Sequence, residues 1–93
     1  MSLAQIAQVT DGQLLNCPDA VLMVKNISTD TRTVSAGSLF LALQGERFDA
    51  HDFAAQAADK DAVAIVVSRP LPDVSLPQIL VADTRIALGQ IAA

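Results

Sequence analysis

The 93-residue sequence has few aromatic residues and few side chains that bind metals. It contains three phenylalanines, no tryptophan or tyrosine, one cysteine and one histidine. A single cysteine permits no internal disulfide, and one cysteine with one histidine cannot complete a structural zinc site. Hydrophobic residues nevertheless make up 52% of the chain. The core must therefore be built mainly from alanine, valine, leucine and isoleucine, which suits helices packed on a sheet.

The chain also lacks a long apolar run and a cluster of positive charge. Its longest apolar runs, such as 62–67, are far shorter than the roughly 20 residues of a membrane-spanning helix, and the N-terminus lacks the layout of a signal peptide. Six basic and ten acidic side chains give a net charge of −4, so no positive stripe is available for a nucleic-acid backbone. The sequence predicts a cytoplasmic protein that neither enters a membrane nor binds nucleic acid.

Motifs for nucleotide hydrolysis and nucleophilic catalysis are missing as well. The sequence has no Gly-x-x-x-x-Gly-Lys-Ser/Thr phosphate loop and no Gly-x-Gly-x-x-Gly fingerprint. The one histidine, His51, lies beside Asp49 and Asp52 in the first turn of a predicted helix, where a surface or capping role is the simplest interpretation. We therefore expect no catalytic residue and no metal site within these 93 residues.

The apolar pattern predicts one α/β domain over residues 1–93, a small mixed or mostly parallel sheet with flanking helices. Helices are expected after a Ser2–Gln5 capping box, at 50–58 and after Asp83, and strands at 13–16, 21–27, 39–43, 62–67 and 78–82. The first two strands could pair as a hairpin. The strand, helix and strand over 39–67 predict a right-handed crossover with parallel pairing.

The last predicted helix carries Ile86, Ala87, Ile91 and Ala92 as its expected buried stripe. No glycine, proline or basic stop signal follows this stripe before Ala93. Such an ending in mid-pattern suggests a chain cut from something longer.

Two polar clusters flank the apolar run 39–43. The first cluster is Thr29, Asp30, Thr31 and Arg32, and the second is Gly45, Glu46, Arg47, Phe48 and Asp49. Taken singly, the first could be a strand-end turn and the second a solvated loop with a helix cap. Taken together, they lie beside the ends of one predicted strand and supply hydroxyls, backbone donors and cations. Such groups suit a phosphorylated, hydroxyl-rich ligand.

The order of residues from about Ser28 to the end carries a resemblance. Its parts are T-D-T-R-(x)4-G-S-L-F-L-A-L-Q-G-E-R-F-D-A-H-D-F, then A-A-Q-A-(x)4-A-V-A-I-V-V, then I-L-V-A-D-T-R-I-A-L-G-Q-I-A. This ordered pattern resembles the N-terminal domain of the MurF family, the bacterial UDP-N-acetylmuramoyl-tripeptide:D-alanyl-D-alanine ligases. The resemblance implies a MurE/MurF N-terminal-domain-like fold that holds the UDP part of the UDP-N-acetylmuramoyl-tripeptide.

The same resemblance implies a three-domain, ATP-dependent enzyme of which this chain is the first domain. A central domain is implied to bind ATP and Mg²⁺, and a C-terminal domain to complete the site. The full enzyme is implied to phosphorylate the terminal carboxylate of the tripeptide, after which the amine of D-Ala-D-Ala attacks the acyl phosphate, in cytoplasmic peptidoglycan precursor synthesis. The fragment alone is expected to be non-catalytic and to hold no cofactor.

Residue roles follow from the resemblance. Thr29 and Thr31 are implied to contact the uridine, and Asp30 and Arg32 to shape their loop or reach the nucleotide. The second cluster is implied to surround the uracil and the diphosphate. Arg47 is the best single candidate for a side-chain contact with the ligand.

Some positions depart from the family pattern. Ser38 stands where the family usually has aspartate, and Ala50 and Asp61 stand where glycine is common. A non-glycine residue at Asp61 disfavours a left-handed helix cap. Two alternatives remain open: MurE, the sister ligase that adds the third amino acid and shares the first motif, and a stand-alone interaction module on the same fold. The run G-E-R-F-D-A-H-D-F favours MurF.

Overall fold

The computed structural model describes residues 2–15, 22–29, 34–42, 59–71 and 76–92. Within these residues the chain forms two helices and five strands: α1 (Leu3–Thr10), β1 (Gln13–Leu15), β2 (Asn26–Ser28), β3 (Ser38–Leu41), β4 (Ala64–Val67), β5 (Gln78–Leu80) and α2 (Thr84–Ala92). The helix predicted at 50–58 lies outside the described residues.

The strands form one mixed sheet in the order β1-β5-β4-β3-β2. β2, β3, β4 and β5 are parallel, and β1 pairs with β5 in the antiparallel direction. Leu39 is paired with Ala64 and Leu41 with Val66, so the predicted parallel pairing across 39–67 is confirmed. The predicted mixed, mostly parallel α/β sheet is confirmed too.

The predicted hairpin between the first two strands is wrong, because β1 and β2 lie at opposite edges of the sheet. Residues ahead of β2 run past the start of α1 instead, where the Leu3 N–H donates to the Leu22 carbonyl at 3.0 Å and Met23 forms an isolated bridge with Ser2. Local apolar pattern predicts where strands form, but their partners depend on contacts distant in sequence. The strand predicted at 21–27 is also shorter, since β2 is Asn26–Ser28.

α1 begins at the predicted capping box and ends at a left-handed residue. The Gln5 N–H donates to Ser2 Oγ at 3.2 Å and the Ser2 N–H donates to Gln5 Oε1 at 2.8 Å, which completes the capping box. Asp11 takes the left-handed conformation with φ of 54°, and the Gly12 N–H donates to the Ala7 carbonyl at 2.8 Å. These bonds satisfy the last carbonyls of the helix.

α2 is capped as predicted but buries a different stripe. Asp83 Oδ1 accepts a hydrogen bond from the Arg85 N–H at 2.8 Å. Ala87 and Ile91 are buried, whereas Ile86 is 62% exposed, so its placement in the buried stripe is wrong. Ile86 precedes Ala87 by one residue and therefore points about 100° away from it around the helix. Leu88, on the other side, packs against the core instead.

Successive side chains of a strand point to opposite faces of the sheet. The buried apolar side chains of the central strands therefore form one cluster on each face. Leu39 and Leu41 belong to the cluster on the helix side, and Phe40 belongs to the cluster on the other side. The buried helix-side members are Leu3, Ile6, Leu39, Leu41, Ala64, Val66, Ile79, Val81, Ala87 and Ile91. The buried members of the other cluster, called here the second-face cluster, are Val34, Phe40, Ala42, Ala62, Ile65 and Val67.

Two glycines are expected to respond to alanine in opposite directions. Gly37 has φ of 87°, and a Cβ there would lie 2.8 Å from Lys25 Cδ, so Gly37→Ala should lower the free energy of unfolding by about 1–2 kcal/mol. Gly89 lies inside α2, and apart from its chain neighbours and the helix backbone no atom lies within 4 Å of an added Cβ, so Gly89→Ala should raise the free energy of unfolding by about 0.5–1 kcal/mol. Urea unfolding of both variants measures the difference, and shifts of the same sign would contradict the described backbone.

Asp61 lies opposite the turn that contains Gly37. Its carbonyl accepts a hydrogen bond from the Gly37 N–H at 3.3 Å, and its φ is 65°. Asp61 therefore adopts a left-handed conformation, although non-glycine residues disfavour it. Aspartate is one of the few non-glycine residues that tolerate it.

Candidate functional site

The carboxyl ends of β2, β3, β4 and β5 lie along one side of the sheet because these strands are parallel. The residues that follow them in turn are Thr29, Ala42, Ser68 and Val81, and the side that they mark is called here the carboxyl edge. Neighbouring strands lie about 4.8 Å apart, so the edge extends about 14 Å from β2 to β5. In open α/β sheets, ligands bind at this kind of edge.

The strand order adds a constraint on how a ligand is held. From β2 to β5 the strands follow one another in sequence order, so the described sheet has no reversal of winding to open a crevice between adjacent loops. A ligand at the carboxyl edge must therefore be held by the loops that leave the strands.

Of the residues in the two predicted clusters, the structure describes Thr29. It is exposed and directly follows Ser28, the last residue of β2. The other predicted site residues, which lie outside the described part of the chain, are Asp30, Thr31, Arg32, Gly45, Glu46, Arg47, Phe48 and Asp49.

The first cluster follows a different strand from the one that the sequence predicts. The sequence placed the two clusters beside the ends of one strand, but Thr29 lies at the carboxyl end of β2, and Ser28 pairs with Phe40 of β3. Ala42 follows β3 at the same edge, where its N–H donates to the Val66 carbonyl at 3.0 Å. Thr29 and Ala42 thus follow neighbouring strands at one edge of the sheet.

The opposite edge of β2 and β3 is held by a hydroxyl network. Ser38 is fully buried, and its Oγ accepts from the Ser35 N–H at 3.0 Å and donates to Asn26 Oδ1. A hydroxyl can accept and donate at once, whereas a carboxylate only accepts. Ser38 therefore links the starts of β2 and β3, and this network is structural.

Leu71, in the loop after β4, is held by a buried glutamine that was not predicted from the sequence. Gln78 is 4% exposed; its Oε1 accepts from the Leu71 N–H at 2.8 Å and its Nε2 donates to the Leu71 carbonyl at 2.7 Å. This pair of bonds, called here the Gln78 clamp, satisfies both backbone groups of one residue. A polar residue in a strand whose neighbours are apolar was the available signal.

A cleft of about 160 Å³ lies elsewhere, on the helix side of the sheet beside β2. Its lining residues are Ile6, Val24, Lys25, Asn26, Ile27 and Ile91. Typical small-molecule sites occupy about 300–1,000 Å³, and Thr29, the predicted site residue that the structure describes, is not among its lining residues. The cleft is therefore small for a nucleotide-sized ligand.

The described residues form neither a metal-binding cluster nor a membrane-spanning helix. Across residues 2–15, 22–29, 34–42, 59–71 and 76–92, no three histidine, cysteine, aspartate or glutamate side chains come together as a metal site. No helix of the described chain has both the length and the apolar character to span a bilayer.

A mixed, mostly parallel five-stranded sheet with two described helices defines a small α/β domain. A family profile described as "Mur ligase family, catalytic domain" matches residues 23–93. The chain belongs to the Mur ligase family.

Individual relatives narrow the similarity. The UDP-N-acetylmuramoyl-tripeptide--D-alanyl-D-alanine ligase of Escherichia coli K12 is 48% identical over 93 residues, which cover 100% of this chain and 20% of the relative. A crystal structure of MurF from Acinetobacter baumannii superimposes with a TM-score of 0.88 at 42% identity, covering 97% of this chain and 20% of that one. The chain therefore spans about a fifth of the length of these relatives.

Ligases of a sister type match over a shorter stretch. The UDP-N-acetylmuramoyl-L-alanyl-D-glutamate--2,6-diaminopimelate ligase of Aquifex aeolicus is 45% identical over 69 residues, which cover 74% of this chain and 14% of the relative. The resemblance to the N-terminal domain of MurF is confirmed, and the MurE alternative is the more distant one.

Proposed function

We propose that this chain is the substrate-binding N-terminal domain of an ATP-dependent ligase that adds D-Ala-D-Ala to UDP-N-acetylmuramoyl-tripeptide during cytoplasmic peptidoglycan precursor synthesis. The observation that carries the proposal is the match to ligases of this name along the entire chain, at 48% identity in the E. coli relative. The MurF superposition, with a TM-score of 0.88, adds agreement in three dimensions.

The proposed role of this domain is to hold the UDP part of the substrate. In support, the sequence has no phosphate loop, and the part of the chain that the structure describes forms no carboxylate cluster for a cation. ATP, Mg²⁺ and D-Ala-D-Ala would bind in domains outside this chain. Although the family profile is described as a catalytic domain, this chain is proposed to contribute binding and no catalytic residue.

The proposed contacts are those of the two loops at the carboxyl edge. Uracil presents in-plane donors and acceptors, which hydroxyls and backbone groups can satisfy, and the diphosphate calls for cations or N–H donors. The proposed residues are Thr29, Asp30, Thr31, Arg32, Gly45, Glu46, Arg47, Phe48 and Asp49. Support comes from Thr29, which is exposed at the end of β2, and from the start of both loops at one edge.

Titration of the 93-residue chain with UDP-N-acetylmuramoyl-tripeptide tests this role. Amide resonances of Thr29, Thr31 and Arg47 are expected to shift in proportion to occupancy, because these residues lie in the loops that would enclose the nucleotide. The Gly89 amide, within α2, serves as the internal control and should not move. Binding should be weaker than in the longer ligase, since contacts from other domains are missing.

A folded sample in which the loop resonances stay fixed at saturating ligand would contradict the proposed role of this domain. The choice between the two ligase types has its own assay. The longer protein is expected to consume D-Ala-D-Ala in an ATP-dependent reaction, and consumption of a free amino acid in its place would favour the sister ligase.

A further inference from the structure

The geometry points to one more ligand contact: we propose that Arg69 binds the diphosphate of the UDP-containing substrate. Arg69 lies outside both sequence clusters and belongs to the loop after β4. The inference rests on the proposed function, because it assigns a further residue to the same nucleotide site. Its position, its anchoring and its charge support it separately.

The position of Arg69 relative to the sheet supports this contact. β4 ends at Val67, and Arg69 follows two residues later as an exposed side chain beyond the carboxyl edge. β4 is one strand from β3 and two strands from β2, which corresponds to about 5 and about 10 Å. A base held by the loops after β2 and β3 leaves its diphosphate beyond the ribose. An arginine side chain starting at the end of β4 can reach that region.

The backbone on both sides of Arg69 is held by hydrogen bonds. On one side of Arg69, the Val67 carbonyl accepts from the Val81 N–H at 2.8 Å within the sheet. On the other side, the Gln78 clamp holds Leu71 by both backbone groups. Pro70 lies between Arg69 and Leu71 and restricts its own φ to about −65°. The backbone of Arg69 is therefore fixed before any ligand arrives, which lowers the entropic cost of binding.

The charge of Arg69 also supports the contact. The cations in the described part of the chain are Lys25, Lys60, Arg69 and Arg85. Lys25 precedes β2 and Lys60 precedes β4, so both belong to the opposite edge, and Arg85 follows β5, one strand farther from the predicted loops. Arg69 is thus the cation among these four that is nearest to the predicted nucleotide loops along the edge. Its planar guanidinium suits two phosphate oxygens at once.

The test compares UDP with uridine, because the two probes differ only in the diphosphate. Arg69→Gln in the longer ligase is expected to raise the Kd for UDP about tenfold and to change the Kd for uridine less than twofold. Arg69→Lys keeps the charge but loses the planar fork, and should fall between the wild type and Arg69→Gln. Calorimetric titration measures both ligands.

Lys60→Gln is the matched control. It removes one exposed cation from the other end of the same strand, so the net charge changes equally while the carboxyl edge is untouched. It should change both Kd values less than twofold. Because it matches the charge change of Arg69→Gln, it separates a local contact from the general field of the protein.

Two results would overturn the assignment of Arg69. One is an unchanged Kd for UDP in Arg69→Gln, and the other is an equal loss for UDP and uridine, which would indicate a distorted loop. Failure of the proposed function looks different, since the wild-type ligase would then bind neither probe. The assignment would fall with it in that case.

Discussion

Replacing Phe40 with alanine is expected to lower the free energy of unfolding by about 3–5 kcal/mol. Phe40 is 1% exposed, lies in β3 and is the largest fully buried side chain of the described core. The whole sequence has only three phenylalanines and no other aromatic residue apart from its one histidine, so smaller neighbours cannot fill the space left behind. Domains of this size have about 5–15 kcal/mol of stability in total, and chemical denaturation should show most of it gone.

Two further variants show whether the loss comes from the cavity. Phe40→Leu keeps most of the volume and should cost about 1–2 kcal/mol. Ile86→Ala removes an apolar side chain that is 62% exposed, and should change stability by less than about 0.5 kcal/mol. A loss below about 1 kcal/mol for Phe40→Ala would contradict the packing described for the second-face cluster.

The central strands could be predicted from the sequence because burial on both faces leaves a local mark. Residues 39–43 and 62–67 are continuous apolar runs, and strands of parallel sheets covered on both faces have this composition. β3 and β4 follow, and every one of their residues is buried. Here the local pattern and the tertiary contacts require the same residues.

The outer strands could not be placed in the same way. β1 has three residues, of which one is exposed and two are partly buried, and β2 has two exposed residues of three. Such short edge segments carry little periodic signal. Their partners are decided by the turn after α1 and by the hydrogen bond from the Lys25 N–H to the Gly37 carbonyl at 2.9 Å, neither of which is visible in local composition.

The candidate site likewise has parts that could be predicted from the sequence and a part that could not. The two loop clusters stand out in the sequence because charge, hydroxyls and glycine are concentrated there. The loop after β4 does not stand out, because its importance depends on the buried contact between Gln78 and Leu71, which are seven residues apart. Positions held by side chain to backbone bonds of this kind need the structure to be found.

Gln78 is expected to affect both the stability of the domain and ligand binding at the proposed site. Gln78→Met preserves volume but removes both bonds of the Gln78 clamp, leaving the N–H and the carbonyl of Leu71 without this partner. Unsatisfied buried polar groups cost about 1–3 kcal/mol each, and Leu71 is only partly buried, so the free energy of unfolding should fall by about 2–4 kcal/mol. Urea unfolding measures it. A loss below about 0.5 kcal/mol would mean that water replaces the clamp without penalty.

The same variant should weaken the binding of UDP without removing any ligand contact. Loss of the clamp frees Leu71, and with it the backbone that presents Arg69 two residues earlier. UDP affinity should therefore fall by less than in Arg69→Gln, and the fall should disappear when Arg69→Gln is already present. Two full, additive losses in the double variant would contradict a positioning role for Gln78.

Gln78→Glu gives the clamp a dependence on pH. A protonated carboxyl donates to the Leu71 carbonyl and accepts from its N–H, as the amide does, whereas a carboxylate cannot donate and would be charged at a position that is 4% exposed. Burial thus raises the pKa of the introduced carboxyl above its unfolded value of about 4.3.

The sign of the effect follows from this shift. The clamp contributes fully below the unfolded pKa, and its contribution is lost as the pH rises through the higher pKa of the folded state. Measured against Gln78→Met at each pH, Gln78→Glu should be the more stable variant near pH 4 and the less stable one near pH 8. A difference that stays constant over this range would show that the carboxyl is solvated, and therefore that the side chain at this position does not hold Leu71. Because the comparison cancels the titration of every other group, it tests the clamp alone.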